Sequence, residues 1–180
     1  DAIPNEKDNS KWNALKTGAY SNYNNNVEAN SIKKFGRLYN HYAVADKRNL
    51  APTGWHVASD TEWSTLIDYV NNNLGSSNTI AQALTTKTDW TESSVDGAVG
   101  CLDLTTYTYV NNSSGFSGLP SGIRHNSGWF NAVGSYCCWW TSVAKDNSSV
   151  YFRSLSNYST YTGRNVYDKN FGLSVRCVKD

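Results

Sequence analysis

The sequence predicts an α+β domain, from three observations: one strongly periodic helix in its first half, a change to short apolar runs broken by Gly, Ser and Asn from Thr91 onward, and an alternating run at the end of the chain. The helix is the clearest. Ser59 and Glu62 stand three apart as a capping box, and Trp63, Leu66, Ile67, Val70 and Leu74 recur at helical spacing before Gly75, which is expected to close the C-terminus. The alternating run, Leu173-Ser174-Val175-Arg176-Cys177-Val178, places Leu173, Val175 and Cys177 on one face and reads as a core strand.

The remaining elements follow in chain order. Asp1 to Lys11 is polar and is expected to be a flexible N-terminal segment, with a single domain over 12–180. Ala19, Tyr20 and Tyr23 form a short strand and Asn24 to Asn26 a turn; Phe35 to Tyr39 reads as a strand running into a short helix over Asn40 to Ala45. Pro52 to Val57 is a turn that delivers Trp55 and Val57 inward, and a second short helix is expected around Ile80 to Leu84. Ser114 to Ser142 carries five glycines for tight turns and, between them, Phe116, Leu119, Ile123, Trp129, Phe130, Val133, Trp139 and Trp140, which want burial. The chain is expected to pack around this segment, with one of Trp139 and Trp140 in the core and the other on the surface. Val150 to Leu155 and Thr162 to Tyr167 read as strands joined by a turn near Asn157 to Thr160.

Composition narrows the function classes. With 180 residues and 39% hydrophobic content there is enough chain for one domain with a real core. Sixteen basic and fifteen acidic residues leave a formal charge of +1, so no long-range field attracts nucleic acid or a membrane surface. No apolar run of about 18 residues is present to span a membrane. The start at Asp1 without a basic-then-apolar leader, and the lack of Met, read as a mature or trimmed chain. Twelve Tyr and seven Trp on an Asn-, Ser- and Thr-rich background match the make-up of evolved binding surfaces, where rigid amphipathic rings and small polar groups make contacts at low entropic cost. Secreted β-rich proteins share that composition.

Catalytic patterns are sparse. Gly115-Phe116-Ser117-Gly118-Leu119 misses the nucleophile-elbow spacing because Leu119 stands where a second Gly is needed. His41, His56 and His125 are scattered without a His-x-x-x-His or His-Glu pairing and read as structural. Cys101, Cys137, Cys138 and Cys177 show neither zinc-type Cys-x-x-Cys spacing nor a dense disulfide ladder, which leaves their redox state open. No cofactor and no metal is expected.

Five ordered stretches carry a resemblance: Phe35 to Val44, Pro52 to Trp63 with its Pro-Thr-Gly-Trp-His start, Ser114 to Arg124, Trp139-Trp140-Thr141-Ser142 and Gly172 to Asp180. Together they resemble the Fibrobacter succinogenes major paralogous domain, collinear from about Trp12 to Asp180. The resemblance implies a C-type lectin-like fold, with two helices packed on a twisted, mainly antiparallel sheet and long irregular loops. It is the version shared with formylglycine-generating enzymes and with the variable target proteins of diversity-generating retroelements. It further implies a ligand-binding face over about 131–168, and the Asn-, Ser-, Asp- and Tyr-rich stretch Asp146 to Asn170 fits adenine-directed variation of Asn codons. One departure stands out: where the family commonly has a Cys before this Pro, the chain has Ala51, so Cys177 lacks that partner and is either reduced or bonded to Cys101.

The expected ligand-binding residues are Trp129, Phe130, Asn131, Tyr136, Cys138, Asp146, Tyr151, Arg153, Tyr158, Tyr161, Arg164 and Tyr167. Rings would stack on a sugar or anchor a protein partner, and the two arginines would supply forked donors. Calcium-dependent sugar sites of this fold usually show Glu-Pro-Asn or Gln-Pro-Asp with Trp-Asn-Asp downstream; none occurs here, and Asp146 and Asp168 read as turn residues. Adjacent Cys137 and Cys138 evoke the two-cysteine copper chemistry of formylglycine-generating enzymes, but neighbours in a strand point in different directions, so they read as incidental thiols within a variable patch. The expected function is a non-enzymatic, monomeric binding module outside a bacterial cell or on a phage particle, with an unknown protein or glycan ligand. The alternatives are a generic adhesin or glycan-binding paralogue and, further off, an oxidase.

Overall fold

The computed structural model describes residues 2–74, 79–101 and 111–180. Gly75, expected to end the long helix, lies outside the described residues. In chain order the elements are α1 (Asn9–Ala14), β1 (Tyr20–Ser21), a 3-10 turn (Tyr23–Asn25), α2 (Ala29–Phe35), β2 (Leu38–Tyr39), α3 (His41–Val44), β3 (Trp55–Val57), α4 (Asp60–Leu74), α5 (Ile80–Leu84), β4 (Ser121–Arg124), β5 (Phe130–Val133), β6 (Tyr136–Ala144), β7 (Ser149–Ser156), β8 (Gly163–Asp168) and β9 (Cys177–Lys179). The class is α+β. Five α-helices stand among the described residues: α4, α5 and α3, the last within the short helix expected over Asn40 to Ala45, and in addition α1 and α2, which are too short for a periodicity to announce them.

The helix starts follow capping chemistry. At α4 the Ser59 backbone N–H donates to Glu62 Oε2 at 2.8 Å while the Glu62 N–H donates to Ser59 Oγ at 3.2 Å, a reciprocal capping box. Thr79 caps α5, and buried Asn40 caps α3 while its amide also reaches Ala19 N–H and the Thr17 carbonyl. Residues 1–11 were expected to carry no element. Instead Asn5 bridges Tyr20, the Glu6 N–H donates to the Tyr20 carbonyl at 2.9 Å, and α1 begins at Asn9 with Asp8 as its cap.

The main sheet runs β5-β4-β6-β7-β8, antiparallel except where β4 lies parallel to β6 at Gly122 and Cys137. Gly122 has φ +68°, and a Cβ there would meet the Asn131 carbonyl and the Tyr23 ring at 2.6 Å, so only glycine lets β4 sit this close to β5. Two small sheets, β1-β2 and β3-β9, complete the architecture.

β6 is covered on both faces. Cys137 and Trp139 join a core with Trp63 and Val70 of α4 and Ala81, Ala83 and Leu84 of α5, while Cys138 and Trp140 join a second core with Ile123, Val150, Phe152, Phe171 and Leu173. Because successive strand residues alternate in direction, a strand between two cores buries both members of its Trp-Trp pair. The expected division of Trp139 and Trp140 between core and surface is therefore corrected: they are 3% and 0% exposed.

Three more placements differ. Trp55, expected to point inward with Val57, is 41% exposed: the two share a face of β3, but Trp55 opens the strand opposite the exposed Lys179, whereas Val57 is buried. The closing run is split: Leu173 is buried and bridges Tyr39, Ser174 bridges Trp139, and regular pairing resumes only in β9 against β3. Val175 and Cys177 are half-buried. All four cysteines are free thiols, so Cys177 is not bonded to Cys101.

The last strand is also tied to α4 through His56, whose Nδ1 lies 2.6 Å from Asp180 Oδ1 and whose Nε2 lies 2.7 Å from Glu62 Oε1. Asp180 first, then Glu62, raise the His56 pKa above its ordinary value. A raised folded-state pKa gives stabilisation that is complete below the unfolded value of about 6.5 and is lost as pH climbs through the folded value. The melting-temperature deficit of His56→Gln against wild type is thus expected to be largest below about pH 6 and to shrink toward pH 9; a deficit independent of pH would rule out the ionic link. Trp140→Ala, which opens a cavity beside Phe152 and Leu173 and removes an Nε1–H bond to the Tyr39 carbonyl, is expected to cost roughly 3–5 kcal/mol in urea unfolding.

Candidate functional site

The stretch expected to form one ligand face is divided by the sheet into two. In β7, Val150, Phe152 and Ser154 alternate with Tyr151, Arg153 and Leu155, and the register carries this onto β8: Tyr167 pairs with Val150, and Arg164 with Arg153. Side chains of the first set join the second core, and those of the other set face α4.

On the α4 side, Tyr151, Arg153 and Arg164 gather around Asp60. Arg153 is buried, its Nε and Nη2 donating to Asp60 Oδ1 at 2.9 and 2.7 Å and its Nη2 also to Ser64 Oγ at 2.9 Å. Arg164 donates from Nε to Asp60 Oδ2 at 3.0 Å, and its guanidinium lies 3.9 Å from the Tyr151 ring centre. Burial pushes the Asp60 carboxyl up, but the hydrogen bonds from Arg164 and Arg153 outweigh it and leave it lowered. Arg153 is thus a strut between sheet and helix rather than the ligand donor expected, because the carboxylate at the start of α4 consumes its fork.

On the other side, rings form a connected run. Phe152 stacks on Tyr167 at 4.2 Å, Tyr167 on Phe171 at 3.9 Å, Phe171 meets the His125 edge at 4.8 Å, and His125 stacks on Trp129 at 4.5 Å. Tyr136 and Tyr167 both pack on the second core, and Tyr136 stacks on Tyr158 at 6.4 Å. The run goes from the buried Phe152 to the exposed Trp129, so one end is anchored and the other meets solvent. Burial raises the phenol pKa of Tyr136 and of Tyr167, keeping both hydroxyls protonated and able to donate. Tyr158 and Tyr161, in the turn between β7 and β8, are 64% and 71% exposed.

The other expected residues separate cleanly. Asn131 is exposed on β5, whereas Phe130 is half-buried between the edge of Tyr23 at 5.5 Å and the Arg124 guanidinium at 4.9 Å. Asp146 builds its turn, accepting from the Ser148 and Ser149 N–H groups, which lower its carboxyl to about 2. Cys138 is corrected outright: it is wholly buried, and Cys137 beside it lies in the opposite core. Burial drives both thiol pKa values up, so neither is a thiolate at neutral pH. Among the described residues no group of three or more His, Cys, Asp or Glu could hold a metal ion, and no helix is long and apolar enough to cross a membrane.

His125 and Phe171 belong to the ring run, and reading residues in sequence missed them both. His125 follows a glycine-rich strand and Phe171 a tight turn; nothing local reveals that the Arg124–Gly172 bridge sets them side by side.

The molecule is thus an α+β domain that presents an anchored aromatic surface beside a tyrosine-rich turn. The chain belongs to the Fibrobacter succinogenes major domain family, whose model matches residues 1–179. No curated protein and no solved structure matches it.

The two arginines offer a direct check. Arg153→Ala removes the buried hydrogen bonds to Asp60 and Ser64, leaving Asp60 only the exposed Arg164, and is expected to destabilise by about 3 kcal/mol, whereas Arg164→Ala removes an exposed pair and is expected to cost less than about 1 kcal/mol. Equal losses in chemical denaturation would contradict the assignment of Arg153 as the strut.

Proposed function

We propose that this chain is a non-enzymatic ligand-binding module, displayed outside a bacterial cell or on a phage particle. In this reading it is a variable target protein of a diversity-generating retroelement with a C-type lectin-like arrangement, acting as a monomer on a protein or glycan ligand. Recognition uses Trp129, Asn131, Tyr136, Tyr158, Tyr161 and Tyr167, with Tyr151 and Arg164 flanking from the far side of the sheet. The single observation that carries the reading is the separation of duties within β7, β8 and their turn. Buried Val150, Phe152 and Leu155 hold the strands, while Tyr158, Tyr161, Arg164, Asn165 and Val166 are exposed and free to vary without opening the core. Rigid rings on a fixed support bind with little ordering cost. An oxidase built on Cys137 and Cys138 is disfavoured, because the two thiols are buried in separate cores.

The experiment is a combined Trp129→Ala, Tyr158→Ala, Tyr161→Ala variant, compared with wild type on a glycan array and on immobilised bacterial surface proteins. It is expected to keep its circular dichroism and melt within a few degrees of wild type, since exposed substitutions usually change stability little, while losing at least about tenfold in binding. Undiminished binding would sink the assigned face. A near-repeat of the 139–180 coding region, differing mainly at adenines and beside a reverse transcriptase gene, is the further expectation; without it the chain is an ordinary paralogous surface domain.

A further inference from the structure

A hollow of 340 Å³ lies apart from the aromatic face, between α2 and the segment leading into β9. Four cations line it, Lys33, Lys34, Arg37 and Arg176, and no carboxylate does. In a chain with sixteen basic and fifteen acidic residues, that is a local concentration of charge and not an overall excess. Of the four, only Lys34 has a carboxylate partner among the described residues, Asp89. Arg37 lies with its guanidinium 4.3 Å from the Tyr20 ring centre. Arg176 is half-buried, spends Nη2 on the Phe116 and Ser117 carbonyls at 3.2 Å, and sits 4.6 Å from the Phe116 ring centre. Burial lowers its pKa, as for a cation set into the protein without a counter-charge. Ser121 and Ser174 also line the hollow, their hydroxyls hydrogen-bonded to each other at 3.0 Å, and Tyr39 and Phe35 add aromatic residues to its wall.

We propose that this hollow binds a small sugar acid, a carboxylate carried on a hydroxyl-bearing ring. The cations call for an oxyanion, and forked arginine donors suit a carboxylate. Size disfavours the simplest occupant: 340 Å³ falls within the roughly 300–1,000 Å³ of small-molecule sites, so a bare oxyanion would leave the aromatic wall uncovered and the serine hydroxyls bonded only to each other. A ring with hydroxyls meets both. The site is independent of the aromatic face, sharing no residue with it.

Titration of the whole chain with glucuronate, glucose and inorganic phosphate, followed by backbone amide shifts, tests this. Glucuronate is expected to perturb residues 33–39 and 174–176, at least about tenfold more tightly than glucose or phosphate, and with an affinity that falls as salt rises. Lys33→Ala combined with Arg37→Ala, both exposed positions, is expected to weaken it at least about tenfold with the circular dichroism unchanged; Tyr158→Ala is expected to leave it intact. Glucose binding as well as glucuronate, phosphate equalling it, shifts confined to other residues, or no binding at all would each overturn the assignment.

Discussion

The strand that separates the two cores is the constraint on which the rest of the structure depends. β6 carries Cys137 and Trp139 into one apolar cluster and Cys138 and Trp140 into the other, so neither cluster closes without it. Each buried indole removes about 150–250 Å² from water, and here the two lie next to each other in sequence on opposite sides of a sheet. The backbone is held as firmly as the side chains: Trp140 N–H donates to the Ser174 carbonyl, and Ser174 N–H to the Cys138 carbonyl, each at 3.0 Å. β7 registers against this wall, β8 against β7, and the turn between them inherits a fixed base.

A second anchor sets the position of the β4–β5 hairpin. Arg124 is wholly buried and forms no salt bridge among the described residues; its guanidinium lies 4.1 Å from the Trp12 ring centre and 4.9 Å from that of Phe130. Its Nε donates to the Gly128 carbonyl at 2.9 Å and its Nη groups to the Glu6 carbonyl and Asn9 Oδ1. Burial lowers its pKa to about 10, with Glu6 and Asp8 acting against the fall, so it remains a cation at neutral pH. A buried charge must have its donors met. Meeting them draws the start of the chain onto the hairpin that carries Trp129 and Asn131, which is how a polar N-terminal segment becomes part of the support for the aromatic surface.

The two faces of the sheet treat their polar groups differently, and this separates support from surface. Toward α4, Asp60 engages both Arg153 and Arg164, closing most of that side's hydrogen-bonding capacity into an internal network. Toward the second core, the ring run leaves the Trp129 and Tyr158 ends exposed. Large, stiff, partly wet rings anchored at one end are the groups that anchor interfaces, whereas arginines already paired have less to offer a partner.

Much was legible in the residues themselves wherever the cause is local. The capping box of Ser59 and Glu62 and the spacing of Trp63 and Val70 specify α4, and the runs over 150–155 and 162–167 specify β7 and β8, because helix caps, periodicity and turn residues act within a few positions. Which side of each strand meets which core was not legible. Trp140, Cys138 and Arg153 carry the same local signals as surface residues in a Tyr- and Ser-rich stretch, and only the placement of α4 on one side and of Phe171 and Leu173 on the other buries them. The sequence alone thus determined the family, the α+β class and the principal helix and strands. Tertiary structure alone decided the division of one expected face into two and the union of Trp129, His125, Phe171 and Tyr167 into one run of rings from core to surface, since alternation along a strand says that neighbours diverge but not what waits on either side.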